Sequence, residues 1–234
     1  MHAATTLREV SRDAPGARVR VALSGGSTPA VLFELIAAKF RRAIPWARLE
    51  VFFGDERAVP PDHADSNYGL AERLLLSRVE IPRPQIHRMH ADAPDLDAAA
   101  RAYEAEIRGV VPCGGRGVPA FDLIWLGVGT DGHTASLFPG SKALEETERL
   151  ALPARAPDGS QRMTLTLPLL RGARLVQFLA TGTSKAAVVG EILEESADGS
   201  AGSPYPAARV VPDGELEWVL DDEAASELQR DLLA

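Results

Sequence analysis

The sequence is poor in several things that would each point to a class of protein. It has one cysteine, Cys113, in 234 residues, so no intrachain disulfide can form and a small disulfide-stapled secreted fold is excluded. Cys113 sits in a loop-like Val-Pro-Cys-Gly-Gly run with no base beside it in sequence, and reads as a passive thiol. No apolar run reaches the roughly 18 residues of a membrane span. The first twenty residues carry Arg8, Glu9, Arg12 and Asp13 and no apolar stretch of signal-peptide length, so the expected location is the cytoplasm. Lysine is scarce: Lys39, Lys142 and Lys185 are the only ones among 25 Lys and Arg residues, which draws attention to a lysine inside a motif. A net charge of −8 argues against a nucleic-acid partner, which a basic surface would bind. It leaves room for a small phosphorylated ligand, which needs only a local positive pocket.

Forty-five percent apolar residues in a chain of this length suffice for one substantial core, and a single domain over 1–234 is expected. Strand-like and helix-like segments alternate throughout. Strands are predicted at 18–23, 49–53, 121–126, 163–167, 175–180 and 215–220; helices are predicted from Pro29 onward with Thr28 as cap, and at 67–77, 96–107, 186–193 and 224–233. That alternation implies a doubly wound, mostly parallel α/β sheet with helices on both faces, in the Rossmann-like manner. Stretches at 111–119 and 199–206 read as surface loops.

In such a sheet, ligands bind beyond the carboxyl ends of the strands. Three segments of unusual polar chemistry fall there. Ser24-Gly25-Gly26-Ser27-Thr28 offers hydroxyls, close backbone approach at the glycines and the free N–H groups of a helix start, a phosphate cradle in design. It has neither the spacing of a dinucleotide fingerprint nor the Gly-Lys-Ser/Thr of a P-loop. Asp55-Glu56-Arg57 follows the strand 49–53, with Asp65-Ser66-Asn67-Tyr68 close behind; Arg57 could grip a phosphate through two parallel hydrogen bonds. Gly127-Val128-Gly129-Thr130-Asp131-Gly132-His133 places a histidine in a glycine-rich turn two residues after an aspartate. An imidazole can take a proton from water near neutral pH, and Asp131 could hold or polarise it. A fourth segment, Thr181-Gly182-Thr183-Ser184-Lys185, brings an ammonium to another strand end. His87 and His90 lack further ligands at metal spacing and read as a surface pair; no metal and no organic cofactor is expected.

Together these residues resemble the 6-phosphogluconolactonase family, within the superfamily that includes the glucosamine-6-phosphate deaminases/isomerases. The resemblance runs from about Val21 to Val189. It is carried by SGGSTP, the FFGDER and SNY run, GVGTDGHTASLFPG, RMTLTLP and TGTSK. It implies a doubly wound α/β fold, with His133 as general base assisted by Asp131. Substrate would lie on Ser24, Gly25, Gly26, Ser27, Thr28, Asp55, Arg57, Gly129 and Lys185. The implied reaction is hydrolysis of 6-phospho-D-glucono-1,5-lactone, the second step of the oxidative pentose phosphate pathway, by a monomer or weak homodimer without contact to nucleic acid or membrane.

Two relatives of that function compete with it. The deaminases carry a carboxylate five residues after the motif histidine, where this chain has Phe138, and an aromatic in place of Arg57. Non-catalytic sugar-phosphate sensors on the same fold add a DNA-binding module, for which the 23 residues before Ser24 leave no room. The family has a further strand and an amphipathic helix before SGGSTP; little helical patterning precedes Ser24 here, and a missing or shortened start is expected. Arg171 and His90 stand where the family commonly has Asn and Glu.

Overall fold

The computed structural model describes residues 1–13, 17–198 and 203–228. Five parallel strands form the central sheet: β1 (Val19–Leu23), β2 (Leu49–Phe53), β4 (Leu123–Gly127), β7 (Leu175–Ala180) and β8 (Glu215–Leu220), in the order β2-β1-β4-β7-β8. Every residue of β2 and β7 is buried, as expected of strands covered on both faces, whereas β8, at one edge, alternates nothing and stays partly exposed. The large side chains of the core (Phe33, Phe52, Phe121, Trp125 and Phe178) are fully enclosed around this sheet.

The strand order has a consequence for function. From β1 the chain passes to β2 on one side, then returns across β1 to β4 on the other. The switch point of this doubly wound sheet therefore lies between the carboxyl ends of β1 and β4, where a crevice opens between diverging connections.

Several sequence expectations need correction. The segment before Ser24 is not short of a helix: α1 (His2–Asp13) is present, and buries Ala4, Leu7 and Ser11 on one face. Helix α2 (Ser27–Leu35) starts two residues before Pro29, with Gly26 and not Thr28 as its cap, and runs on through a π-turn at Ile36–Phe40. The strand expected at 163–167 is β6 (Gln161–Leu165), because Thr166 already caps the short helix α5 (Leu167–Arg171) with Pro168 in its first turn. Nor does β6 belong to the parallel sheet. It lies between β3 (Asp55–Arg57) and β5 (Ala151–Arg155) in a small antiparallel sheet, so the Asp-Glu-Arg segment is itself a strand. Helices α3 (Asn67–Leu74), α4 (Leu96–Val110) and α6 (Ala186–Asp198) lie where helices were predicted. At the C-terminus, 222–228 form turns, and the rest of the predicted helix at 224–233 lies outside the described residues, as does part of the 199–206 loop.

His87 is not on the surface. It is 7% exposed, stacks on Phe52, and places its two ring nitrogens 2.6 Å from Glu106 and 2.9 Å from Glu50, while His90 is exposed.

Candidate active site

A cavity of about 200 Å³ opens at the switch point. It gathers residues from all four segments singled out in the sequence: Ser24 to Thr28 after β1, Asp55 and Arg57 on β3, Gly129 and His133 after β4, and Lys185 after β7. Asp131 stands behind His133 and does not line the cavity.

The first wall is the start of α2. Ala30 N–H donates to Gly26 O and closes the first turn, so the N–H groups of Ser27 and Thr28 have no acceptor within the helix. Their partial positive charge and the adjacent hydroxyls suit an anion. Gly26 takes φ +103°, which a side chain would strain. Thr28 also ties this wall to the fourth segment, its hydroxyl lying 2.7 Å from that of Thr181.

The second wall is β3 with the start of α3. Buried Glu56 accepts hydrogen bonds from Arg57 N, Asn67 N, Tyr68 N and Ser66 Oγ, at 2.7, 2.7, 2.8 and 2.9 Å. Burial nonetheless outweighs these bonds and raises its pKa. Glu56 thus locks α3 onto β3, and its two neighbours in sequence face the cavity. Arg57 donates to Asp65 O at 2.5 Å, and among the described residues neither Arg57 nor Lys185 forms an ion pair. Two cations without a carboxylate partner among the described residues therefore border one cavity.

Asp55 is fully engaged by the protein. Its Oδ1 accepts from Asn67 Nδ2 at 2.9 Å and its Oδ2 from Ser136 Oγ at 2.6 Å. This chain of bonds joins the SNY, GDER and DGHTAS segments. Asn67 was not among the residues expected in the site, yet it lines the cavity and packs so closely on Gly25 that a Cβ there would come within 1.7 Å of its Oδ1. In the sequence Asn67 stood out only within the SNY run, with no sign of its contact with Gly25.

The third wall carries the base. His133 Nδ1 lies 2.6 Å from Asp131 Oδ1, and the same oxygen accepts from His133 N at 3.2 Å. Partial burial works against the Asp131 charge, but these bonds prevail and hold it below the usual carboxylate range. An ionised Asp131 can only accept, so in the neutral imidazole Nδ1 carries the proton and Nε2 the free lone pair. Gly129 is required here, since a Cβ on it would stand 2.1 Å from His133 Nδ1. Phe138 packs against the imidazole at 4.7 Å.

The sequence family described as glucosamine-6-phosphate isomerases/6-phosphogluconolactonase matches residues 1–218. The chain belongs to that family. Among its members, 6-phosphogluconolactonase from Synechocystis sp. is 45% identical over 89% of this chain and 84% of its own. The human 6-phosphogluconolactonase is 45% identical over 90% and 81%. The solved structure of 6-phosphogluconolactonase from Trypanosoma cruzi superposes with a TM-score of 0.83 at 32% identity, over 97% of this chain and 92% of that one. The family fold is the doubly wound sheet described above. Among the described residues no group of three or more His, Cys, Asp or Glu side chains is arranged to hold a metal, and no helix is long and apolar enough to cross a membrane.

Proposed function

We propose that this chain is a 6-phosphogluconolactonase, hydrolysing 6-phospho-D-glucono-1,5-lactone in the pentose phosphate pathway, with residues 1–234 as one domain acting as a monomer or weak homodimer in the cytoplasm. The observation that carries the reading is the pairing of an oriented base, His133 on Asp131, with the cations Arg57 and Lys185 across a cavity of sugar-phosphate size.

The substrate phosphate lies on the start of α2, at Ser24 to Thr28, with Arg57 and Lys185 neutralising it. That anchor places the lactone carbonyl over His133. Nε2 takes a proton from a water, whose oxygen bonds to the carbonyl carbon while the carbonyl electron pair moves onto its oxygen. The tetrahedral intermediate then reforms the carbonyl and breaks the bond to the ring oxygen, which receives the proton from the imidazolium. General-base catalysis of this kind contributes typically 10²–10⁴-fold. Asp131 holds the tautomer and offsets the charge on the imidazolium. In a deaminase a carboxylate would occupy position 138; here that position is an aromatic ring against the base, which disfavours the rival reaction.

The test is the decay of freshly made 6-phosphogluconolactone with and without the protein. Decay no faster than spontaneous hydrolysis would overturn the reading.

A further inference from the structure

Ala135 is the only non-glycine residue with positive φ among the described residues, at +48°. It lines the cavity two residues after His133. Leu137 N donates to Thr134 O at 2.9 Å, closing a four-residue turn in which Ala135 holds the second position. Positive φ at that position favours glycine, because an L side chain crowds the backbone there. Such a conformation persists only when the surroundings fix it, and these do. Thr134 N returns a bond to Leu137 O at 3.4 Å, and Thr134 Oγ1 donates to Gly127 O at 2.8 Å. Ser136 N donates to Thr164 Oγ1 at 3.1 Å, and Ser136 Oγ to Asp55 Oδ2 at 2.6 Å. Each neighbour of Ala135 is tied down. Its own N–H has no acceptor among the described residues.

We propose that the backbone N–H of Ala135 is the oxyanion donor of the reaction, presented to the carbonyl oxygen by a strained turn that the Asp55–Ser136 bond holds in place. The inference rests on the lactonase reading above and adds a catalytic group to it. As the water bonds to the carbonyl carbon and its proton passes to His133 Nε2, the carbonyl π pair becomes a full charge on oxygen. A fixed N–H aimed at that charge strengthens as the charge develops and needs no reorganisation during the step. His133 and Ala135 belong to one loop, so the base and the donor keep a constant separation across the reacting carbon. Both side-chain cations remain free for the phosphate, which a cationic oxyanion partner would not allow.

The decisive experiment replaces Ala135 by lactic acid, which turns its amide into an ester and deletes the N–H with little change of shape. Turnover should fall on the order of 10²–10³-fold, while the affinity for 6-phosphogluconate stays within about twofold. Ala135→Gly, which keeps the N–H and relieves the crowding, should retain turnover within about fivefold and show no loss of Tm. Turnover of the ester variant within about threefold of wild type would overturn the proposal, as would equal losses in the ester and glycine variants, which would mark a disturbed loop. Should the ester variant not fold, Ala135→Val serves. Its branched side chain disfavours positive φ, so turnover should drop at least about thirtyfold at unchanged product affinity, and unchanged turnover would contradict the proposal. His133→Ala, measured alongside, loses turnover whichever group holds the oxyanion. A wild-type protein without lactonase activity would sink the functional reading; an intact ester variant sinks only this one.

Discussion

Asp131 Oδ1 and His133 Nδ1 stand 2.6 Å apart across a turn that tolerates no side chain at Gly129. The aspartate decides which imidazole nitrogen carries the proton, and the glycine decides whether the two groups can meet.

Asp131→Asn should therefore lower kcat by about 10- to 10³-fold, because an amide no longer selects the productive tautomer or offsets the imidazolium charge. KM should change little, since Asp131 does not line the cavity. Steady-state kinetics separates the two, and a large rise in KM at constant kcat would contradict the assignment.

Gly129→Ala tests the same relationship from the backbone side. The added Cβ would stand 2.1 Å from His133 Nδ1 and 2.5 Å from Asp131 Oδ1, so the pair must separate. Turnover should fall at least about tenfold with binding of 6-phosphogluconate retained. Kinetics with product titration checks this, and normal turnover would mean that the contact is dispensable.

The phosphate anchor makes its own prediction. A charge-assisted hydrogen bond contributes about 1.5–3 kcal/mol, so gluconolactone without phosphate should lose at least roughly 10³-fold in kcat/KM if two or three such bonds are lost. Arg57→Ala should narrow that gap by harming the phosphorylated substrate far more than the plain one. Equal losses for both lactones would place Arg57 at the carbonyl.

His87 predicts a pH dependence of stability away from the cavity. Burial opposes its charge, but hydrogen bonds to Glu106 and Glu50 prevail and raise its pKa above the ordinary 6.5. A base whose folded pKa is raised contributes stability fully below its unfolded pKa and loses it as pH rises through the folded value. The Tm advantage of wild type over His87→Gln should be greatest below about pH 6.5 and shrink above it. Thermal melts of both proteins across pH 5.5–9 check this; a pH-independent difference would contradict it.

The parts of this molecule that local physics dictates could be read in the sequence. Strands β2, β7 and β8 are short, mostly apolar runs between turn residues, and their predicted bounds match the structure. Helix α1 escaped because its buried face consists largely of Ala3, Ala4 and Ser11, whose weak hydropathy is masked by neighbouring charges. The antiparallel sheet escaped for a different reason. β5 carries Pro153 and is only partly buried, and β3 is a charged segment that becomes a strand by pairing with β6 more than a hundred residues later. In the cavity, the segments announced themselves by glycine and polar composition at strand ends. The bonds from Asp55 to Asn67 and Ser136 did not, because they depend on contacts 12 and 81 residues apart in the chain. The unusual backbone of Ala135 left no mark at all, alanine being unremarkable in any turn.

The most direct test of the central claim is the turnover of His133→Ala on freshly made 6-phosphogluconolactone, corrected for spontaneous hydrolysis. If His133 activates the water, turnover falls by roughly two to four orders of magnitude while 6-phosphogluconate binds as in wild type. Near-normal turnover in the variant would contradict the account.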